Sequence, residues 1–477
     1  MDRPRLNYDV LHIIMSFSDK PTLSCLMRTC KELYRPATRY ILKGGAWIEN
    51  EEHAVSLLPF MRADAPYRAS LLRVLRIDMG YCGPVSADTA SLLDKLFLCL
   101  ASAGCLNELT LWHSESLLRL HPDLSSAFAR LSSVKHLQVY DVGQHSAQML
   151  SRLQTSLISA HISFQSGTDQ PPAIPMAHDP TLLLHHSRHT LCNLITSYSD
   201  SPTGIPTTYL GVTDLSLNHM EMPDIAQYVQ AFPRLLHLIL YESNGWDFGD
   251  QVREGYRVQR RHNQEMQRLT GSWPKLDLYE GSIVSLYHLG ITCQISALIL
   301  DDQECFPMEP EMLIEALEDA RPEYLQLVIT GTSSLLSVEI QSVFTQPSLR
   351  GLSDLELHIT LRYSDRDADW ACILDRIASN VIAPLPALGY FELHVDCIYL
   401  SSPFGGHIYQ PVEEVPLERL ERELMEWDAT AFAERACKAS RKGTLRMVSV
   451  VQINHRVRDD VDAIASATES ESTTATP

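Results

Sequence analysis

Few groupings of residues have the types and spacing for chemistry. His185-His-Ser-Arg-His189 sets two histidines four positions apart, a spacing with which one helix face can hold zinc. No HExxH glutamate or nearby cysteine pair completes a ligand set, so packing or solvation is the simpler reading. Asp365-Arg-Asp-Ala-Asp369 opens with the carboxylate spacing of a calcium loop, but Trp370 stands where that loop needs glycine and Arg376 where it needs glutamate. The chain holds no GxxxxGK[ST], GxGxxG or GxSxG, the simplest local signatures of nucleotide binding and of a hydrolase nucleophile. The expectation is a protein without catalytic residues, cofactor or metal, and not an enzyme.

With no chemistry to place, the informative residues are apolar ones, beginning with residues 6–42. Asn7 suits the N-cap of a helix whose apolar face is Val10, Leu11, Ile14 and Met15, ended by Ser18 to Lys20. Asp19 caps a second helix with Pro21 in its first turn and Leu23, Leu26 and Met27 on one face. Thr29 and Glu32 have capping-box spacing for a third, which Pro36 is expected to break or bend. About forty residues bury too little surface to stand alone. Their apolar positions exceed what three short helices hide, so the segment either caps the domain C-terminal to it or meets a partner.

This segment resembles an F-box. Leu6, Asp9, Val10, Leu11, Ile14, Pro21, Leu23, Cys30, Tyr34 and Ala37 fall at the family's spacing without a gap. Asn7, in place of the usual proline, and Leu33, where an aromatic residue is common, depart from it. The resemblance implies that residues 1–44 grip the Skp-type linker protein of a cullin ubiquitin ligase. The matching contact residues are Leu6, Val10, Leu11, Ile14, Pro21 and Leu23, which would pack into an apolar groove.

Beyond residue 70 the phrase apolar-x-x-apolar-x-apolar recurs, each time with polar residues and a helix-like stretch after it. The clearest copies are Leu72/Leu75/Ile77, Leu106/Leu109/Leu111, Val134/Leu137/Val139, Val212/Leu215/Leu217, Leu235/Leu238/Leu240, Ile295/Leu298/Leu300 and Leu352/Leu355/Leu357. Weaker ones sit at Leu157/Ala160/Ile162, Leu191/Leu194, Leu325/Leu327 and Leu388/Phe391/Leu393. Each reads as a short strand with alternate residues inward. Stacked, the strands predict a parallel sheet with helices behind it, a core no single unit could bury.

The fold class expected is therefore α/β: a three-helix F-box, then a curved leucine-rich-repeat-like solenoid over 45–455 with a parallel sheet. Copies recur at about twenty to about thirty-five residues, irregular for such repeats. The turn position that the family fills with Asn or Cys holds Gly80, Ser114, Val142, Met220, Ser243, Gln303 and Thr360, so there is no asparagine ladder. An ordinary α/β domain with leucine-rich strands is the alternative. Residues 165–181, with four prolines, read as an irregular loop, and 244–274 as an inserted solvated helix offering a contact surface. Residues 413–435 read as one packed helix, 445–453 as a last strand, and 456–477 as a disordered tail.

Composition narrows the partners. A net charge of -20, from 39 basic and 59 acidic residues, argues against nucleic acid and suits a target protein with a basic surface. No window is apolar enough for a membrane span, and Asp2, Asp9 and Asp19 interrupt any secretory signal in the first twenty residues. Eleven cysteines without a CxxC fit buried thiols of a reducing compartment, cytoplasm or nucleus. The function expected is a substrate-recognition adaptor of a Skp-cullin-F-box ubiquitin ligase. The alternative is a noncatalytic repeat scaffold with no ubiquitin role.

Overall fold

The computed structural model describes residues 7–79, 84–165, 178–202, 207–219, 223–241, 250–301, 310–400, 416–440 and 444–466. It is α/β, and contacts divide the chain into two compact units, Met1–Met220 with Gln230–Arg234 and Glu221–Val229 with Leu235–Pro477. In the first unit β1 (Ala46–Ile48), β2 (Val74–Asp78), β3 (Glu108–Trp112), β4 (His136–Val142), β5 (Ser159–Phe164), β6 (Asn193–Ser197) and β7 (Asp214–Asn218) pair in chain order, all parallel. In the second, β8 (His237–Tyr241), β9 (Leu276–Gly281), β10 (Ile295–Asp301), β11 (Tyr324–Thr330), β12 (Asp354–Arg362), β13 (Tyr390–Tyr399) and β14 (Met447–Ile453) do the same. There β15 (Val461–Ser466) adds antiparallel to β14.

The repeated phrase sets the register. Its middle residue pairs with its counterpart in the next strand: Leu75 with Leu109, Leu109 with Leu137, Leu298 with Leu325, Leu325 with Leu355, Leu355 with Phe391. All of these are at most 1 % exposed. A slip of one residue would turn the polar alternates into the core, so the pairing is strongly specified.

Three strands, β1, β9 and β15, escaped the phrase. In β9 the third position is Gly281, because the preceding inward residue is the large Tyr279. A Cβ on Gly281 would sit 2.6 Å from the Leu240 carbonyl oxygen and 2.8 Å from the Tyr279 hydroxyl. Gly281→Ala is expected to force β8 and β9 apart and cost about 2 kcal/mol, read as a lower urea midpoint. An unchanged midpoint would mean that this spacing is adjustable.

Carboxylates do the joining that the missing asparagine ladder would have done. Glu115 accepts from the backbone amides of His145 and Ser146 at 3.0 Å each, capping the helix Gln144–Arg152 of the next repeat. Glu51 accepts from the Ser86 amide and hydroxyl at the start of the helix Ala87–Ala103. In the second unit Asp365 accepts from the Thr332 amide at 3.0 Å, and Glu423 from the Trp370 amide at 2.8 Å. Each acid meets unsatisfied amides and the positive end of a helix dipole.

The described part of the stretch 244–274, from Asp250 on, is not a solvated insertion. Its helix, Asp250–Thr270, buries one polar face in which Arg260, Asn263 and Gln267 are at most 6 % exposed. They donate to carbonyls where the next helix, Ile283–Leu289, ends: Arg260 to Tyr287 O, which also accepts the Gly290 amide, Asn263 to His288 O and Gln267 to Gly290 O. A polar helix is thereby a repeat helix. Beside it His288 is fully buried with its ring stacked on Tyr256 at 5.8 Å, and burial pushes its pKa down from 6.5 to about 4.

The folded value lies below the unfolded one, so this contribution to stability is complete above about pH 6.5 and is lost as pH falls towards 4. The loss is roughly 3 kcal/mol over that window. His288→Leu is expected to flatten the fall in urea-derived stability between pH 7 and 4.5. Equal slopes in both proteins would show that unfolding does not protonate this histidine.

Two further expectations change. The segment 413–435 forms two helices, Arg419–Glu426 and Ala429–Ala439, the second capped by Asp428. The disordered tail does not begin at 456. Arg456 forms a bidentate pair with the buried Glu421 at 2.7 and 2.8 Å, and β15 comes next, so packing continues to Ser466. Residues 467–477 lie outside the described residues, as do 166–177 of the proline-rich loop.

Candidate functional site

Three helices open the described chain: α1 (Tyr8–Phe17), α2 (Lys20–Met27) and α3 (Lys31–Lys43). Asn7 and Asp19 cap the first two as expected, accepting from the amides of Asp9 and Thr22. The Thr22 hydroxyl and amide hold the Asp19 carboxyl below its usual range. The third start differs: Cys30 is the N-cap, and the Thr29 hydroxyl instead donates to Leu26 O at 2.7 Å. Pro36 neither breaks α3 nor ends it, because burial of Leu33, Ala37, Thr38 and Leu42 on either side outweighs one lost backbone bond.

Met15, Leu23, Leu33 and Ala37 form the core of this group, with Leu11, Leu26, Met27, Tyr40 and Ile41 packed around it. α3 also docks on the first repeat. The buried Arg68 guanidinium lies 4.8 Å from the Tyr34 ring centroid and 3.9 Å from that of Phe60, and donates to Phe60 O.

α1 has two apolar faces. Leu11 and Met15, one turn apart, face the core. Val10, Ile13, Ile14 and Phe17 follow i, i+3, i+4, i+7 spacing on the other side and are 41, 59, 43 and 87 % exposed. Burying one such side chain contributes roughly 1.5–3 kcal/mol, and this spacing is how a helix enters an apolar groove.

The six residues expected to contact a linker therefore divide. Val10, Ile14 and Pro21 are exposed, Leu11 is half-buried, Leu23 is buried within the helix core and presents no surface, and Leu6 lies outside the described residues. Ile13 and Phe17 are the members of the outward row that the family spacing does not single out. Their signal is the apolar run His-Ile-Ile-Met-Ser-Phe, which is too rich for one buried face.

The other groupings settle differently. His185–Ser187 is a single 3-10 turn, with His185 Nδ1 3.0 Å from Leu182 O, and His189 accepts from Arg188 Nε at 3.0 Å, so no α-helical histidine pair forms. Asp365 caps as described, and Asp369 N-caps the helix Trp370–Arg376, so neither is free for calcium.

A second surface was not foreseen. On the face of β11 to β13 opposite the core, Tyr324, Glu356, His358, Tyr390, Glu392 and His394 stand side by side, half-buried. Burial raises the carboxyl of Glu356, and burial together with Glu280 raises the Tyr241 hydroxyl to about 12. Among the described residues, His358, Glu392 and His394 are the group whose ligand atoms lie close enough to share a metal, all within 4.8 Å of one another.

No protein-family model matches the chain, and no curated protein matches it in sequence. None of the described helices is long and apolar enough to cross a membrane.

Proposed function

We propose that the chain is a noncatalytic substrate receptor of a Skp-cullin-F-box ubiquitin ligase, working in cytoplasm or nucleus. Residues 1–44 act as the F-box and 45–455 as a leucine-rich-repeat-like solenoid that holds a target protein. The observation that carries this reading is the outward row Val10, Ile13, Ile14 and Phe17 on a helix whose inner face is already packed. Its occupant is the apolar groove of the Skp-type linker. Parallel strand and helix units suit a broad binding surface.

Such a protein reacts with nothing. It raises the local concentration of a target lysine near charged ubiquitin and so turns encounter into a local event. The test is co-purification of the full chain with a Skp-type linker and cullin. A stoichiometric complex supports the adaptor, and none with a folded chain rejects it. The second reading, a repeat scaffold whose helices are only its cap, draws on Arg68, which clasps α3 to the first repeat.

A further inference from the structure

We propose that His358, Glu392 and His394 bind one divalent zinc ion on the open sheet face of the second unit. Two imidazoles and a carboxylate form a borderline donor set that suits zinc. Calcium and magnesium favour all-oxygen sites, and copper(I) favours sulfur. The placement comes from a repeated phrase. Leu355-Glu-Leu-His358 and Phe391-Glu-Leu-His394 occupy adjacent parallel strands in register, so His358 lies opposite His394 and Glu356 opposite Glu392.

The polar atoms within this square are incompletely matched. His358 Nε2 and His394 Nε2 are both buried, and neither has a hydrogen-bond partner. The rings lie 4.7 Å apart at 54°, and the three donor atoms are within 4.8 Å of one another. Zinc bonds of about 2 Å place donors roughly 3.3 Å apart in a tetrahedron, a contraction within reach of side-chain rotation. Glu356 Oε2, 3.5 Å from His358 Nε2, faces the same space, so two carboxylates directly opposite each other repel unless a cation stands between. The Tyr390 hydroxyl donates to Glu392 Oε2, the kind of outer contact that orients a carboxylate ligand. Three protein donors leave a fourth position for water, and the ion would staple β12 to β13.

The experiment uses the full chain stripped by a chelator, then titrated with zinc chloride by calorimetry and with cobalt(II) chloride by absorption. The expected result is one equivalent bound with micromolar or tighter affinity, and cobalt d–d bands without thiolate charge transfer. His358→Gln or His394→Gln is each expected to weaken zinc binding about tenfold or more, Glu392→Gln less, and zinc to raise the melting temperature of wild type. Absence of saturable binding would overturn the proposal. So would a thiolate band, which places the ion on cysteine, or unchanged binding in the His358→Gln/His394→Gln double variant, which places it on other histidines such as those at 185–189. The cobalt spectrum of wild type separates cysteine from histidine ligation even where a variant folds poorly, and Glu392→Gln, which removes a charge and no ring, still reads the site where a histidine variant does not fold.

Discussion

Replacing Ile13 and Phe17 together with aspartate is expected to abolish capture of the Skp-type linker while leaving the circular dichroism and melting of the chain unchanged. The two side chains are 59 and 87 % exposed, so no core depends on them. In a complex they would be the deepest members of the outward row. An apolar anchor in a desolvated groove is worth about 2 kcal/mol or more, so two lost anchors weaken binding by roughly 1000-fold, and a buried carboxylate adds to that. Leu23→Ala makes the contrast. Leu23 is 3 % exposed and packs with Met15, Leu33 and Ala37, so its loss costs about 3 kcal/mol, and any loss of binding comes with loss of helix. Linker binding by the Ile13/Phe17 variant as tight as wild type would rule out the outward row as the docking face.

Arg260→Ala is expected to destabilise the second unit by about 3–5 kcal/mol, the largest single stability effect anticipated for this chain. Its side chain is 8 % exposed, with Nη2 2.6 Å from Asp319 Oδ2 and 3.1 Å from Glu315 O, Nη1 2.9 Å from Tyr287 O, and the guanidinium 4.6 Å from the Tyr287 ring centroid. Truncation removes a charged donor from the Tyr287 and Glu315 carbonyls and from a partly buried carboxylate, leaving Tyr287 O with the Gly290 amide at 3.1 Å and Asp319 with Gln264 at 2.9 Å. Arg260→Lys should recover only part, since one ammonium cannot fork across three acceptors. Urea unfolding of the three proteins measures this, and a loss below about 1 kcal/mol for the alanine variant would mean that water replaces the arginine without penalty.

The strands were legible because their signal is local. Leu75, Leu109, Leu298 and Leu355 each sit in a phrase whose alternation admits little but a half-buried strand, and stacking such phrases leads to a parallel sheet. β9 was not legible, because Tyr279 and Gly281 exchange volume between neighbouring positions and so break the pattern without breaking the strand. The helix Asp250–Thr270 was misread for a related reason. A polar face looks solvated until the carbonyls that it satisfies are found in another helix.

The sequence by itself determined the period of the repeats, the start of α1 and α2, and the excess of apolar residues near the N-terminus, since each depends on neighbours within a turn or two. Only the tertiary structure decided which of those apolar residues face out, moving Leu23 inward and bringing Ile13 and Phe17 into the exposed row. It also decided that Glu115 caps another repeat's helix and that His358 meets His394. The physical reason is range. Helix and strand periodicity are written along the chain, whereas caps, ligand sets and docking faces arise between residues that only the stacking of repeats brings together.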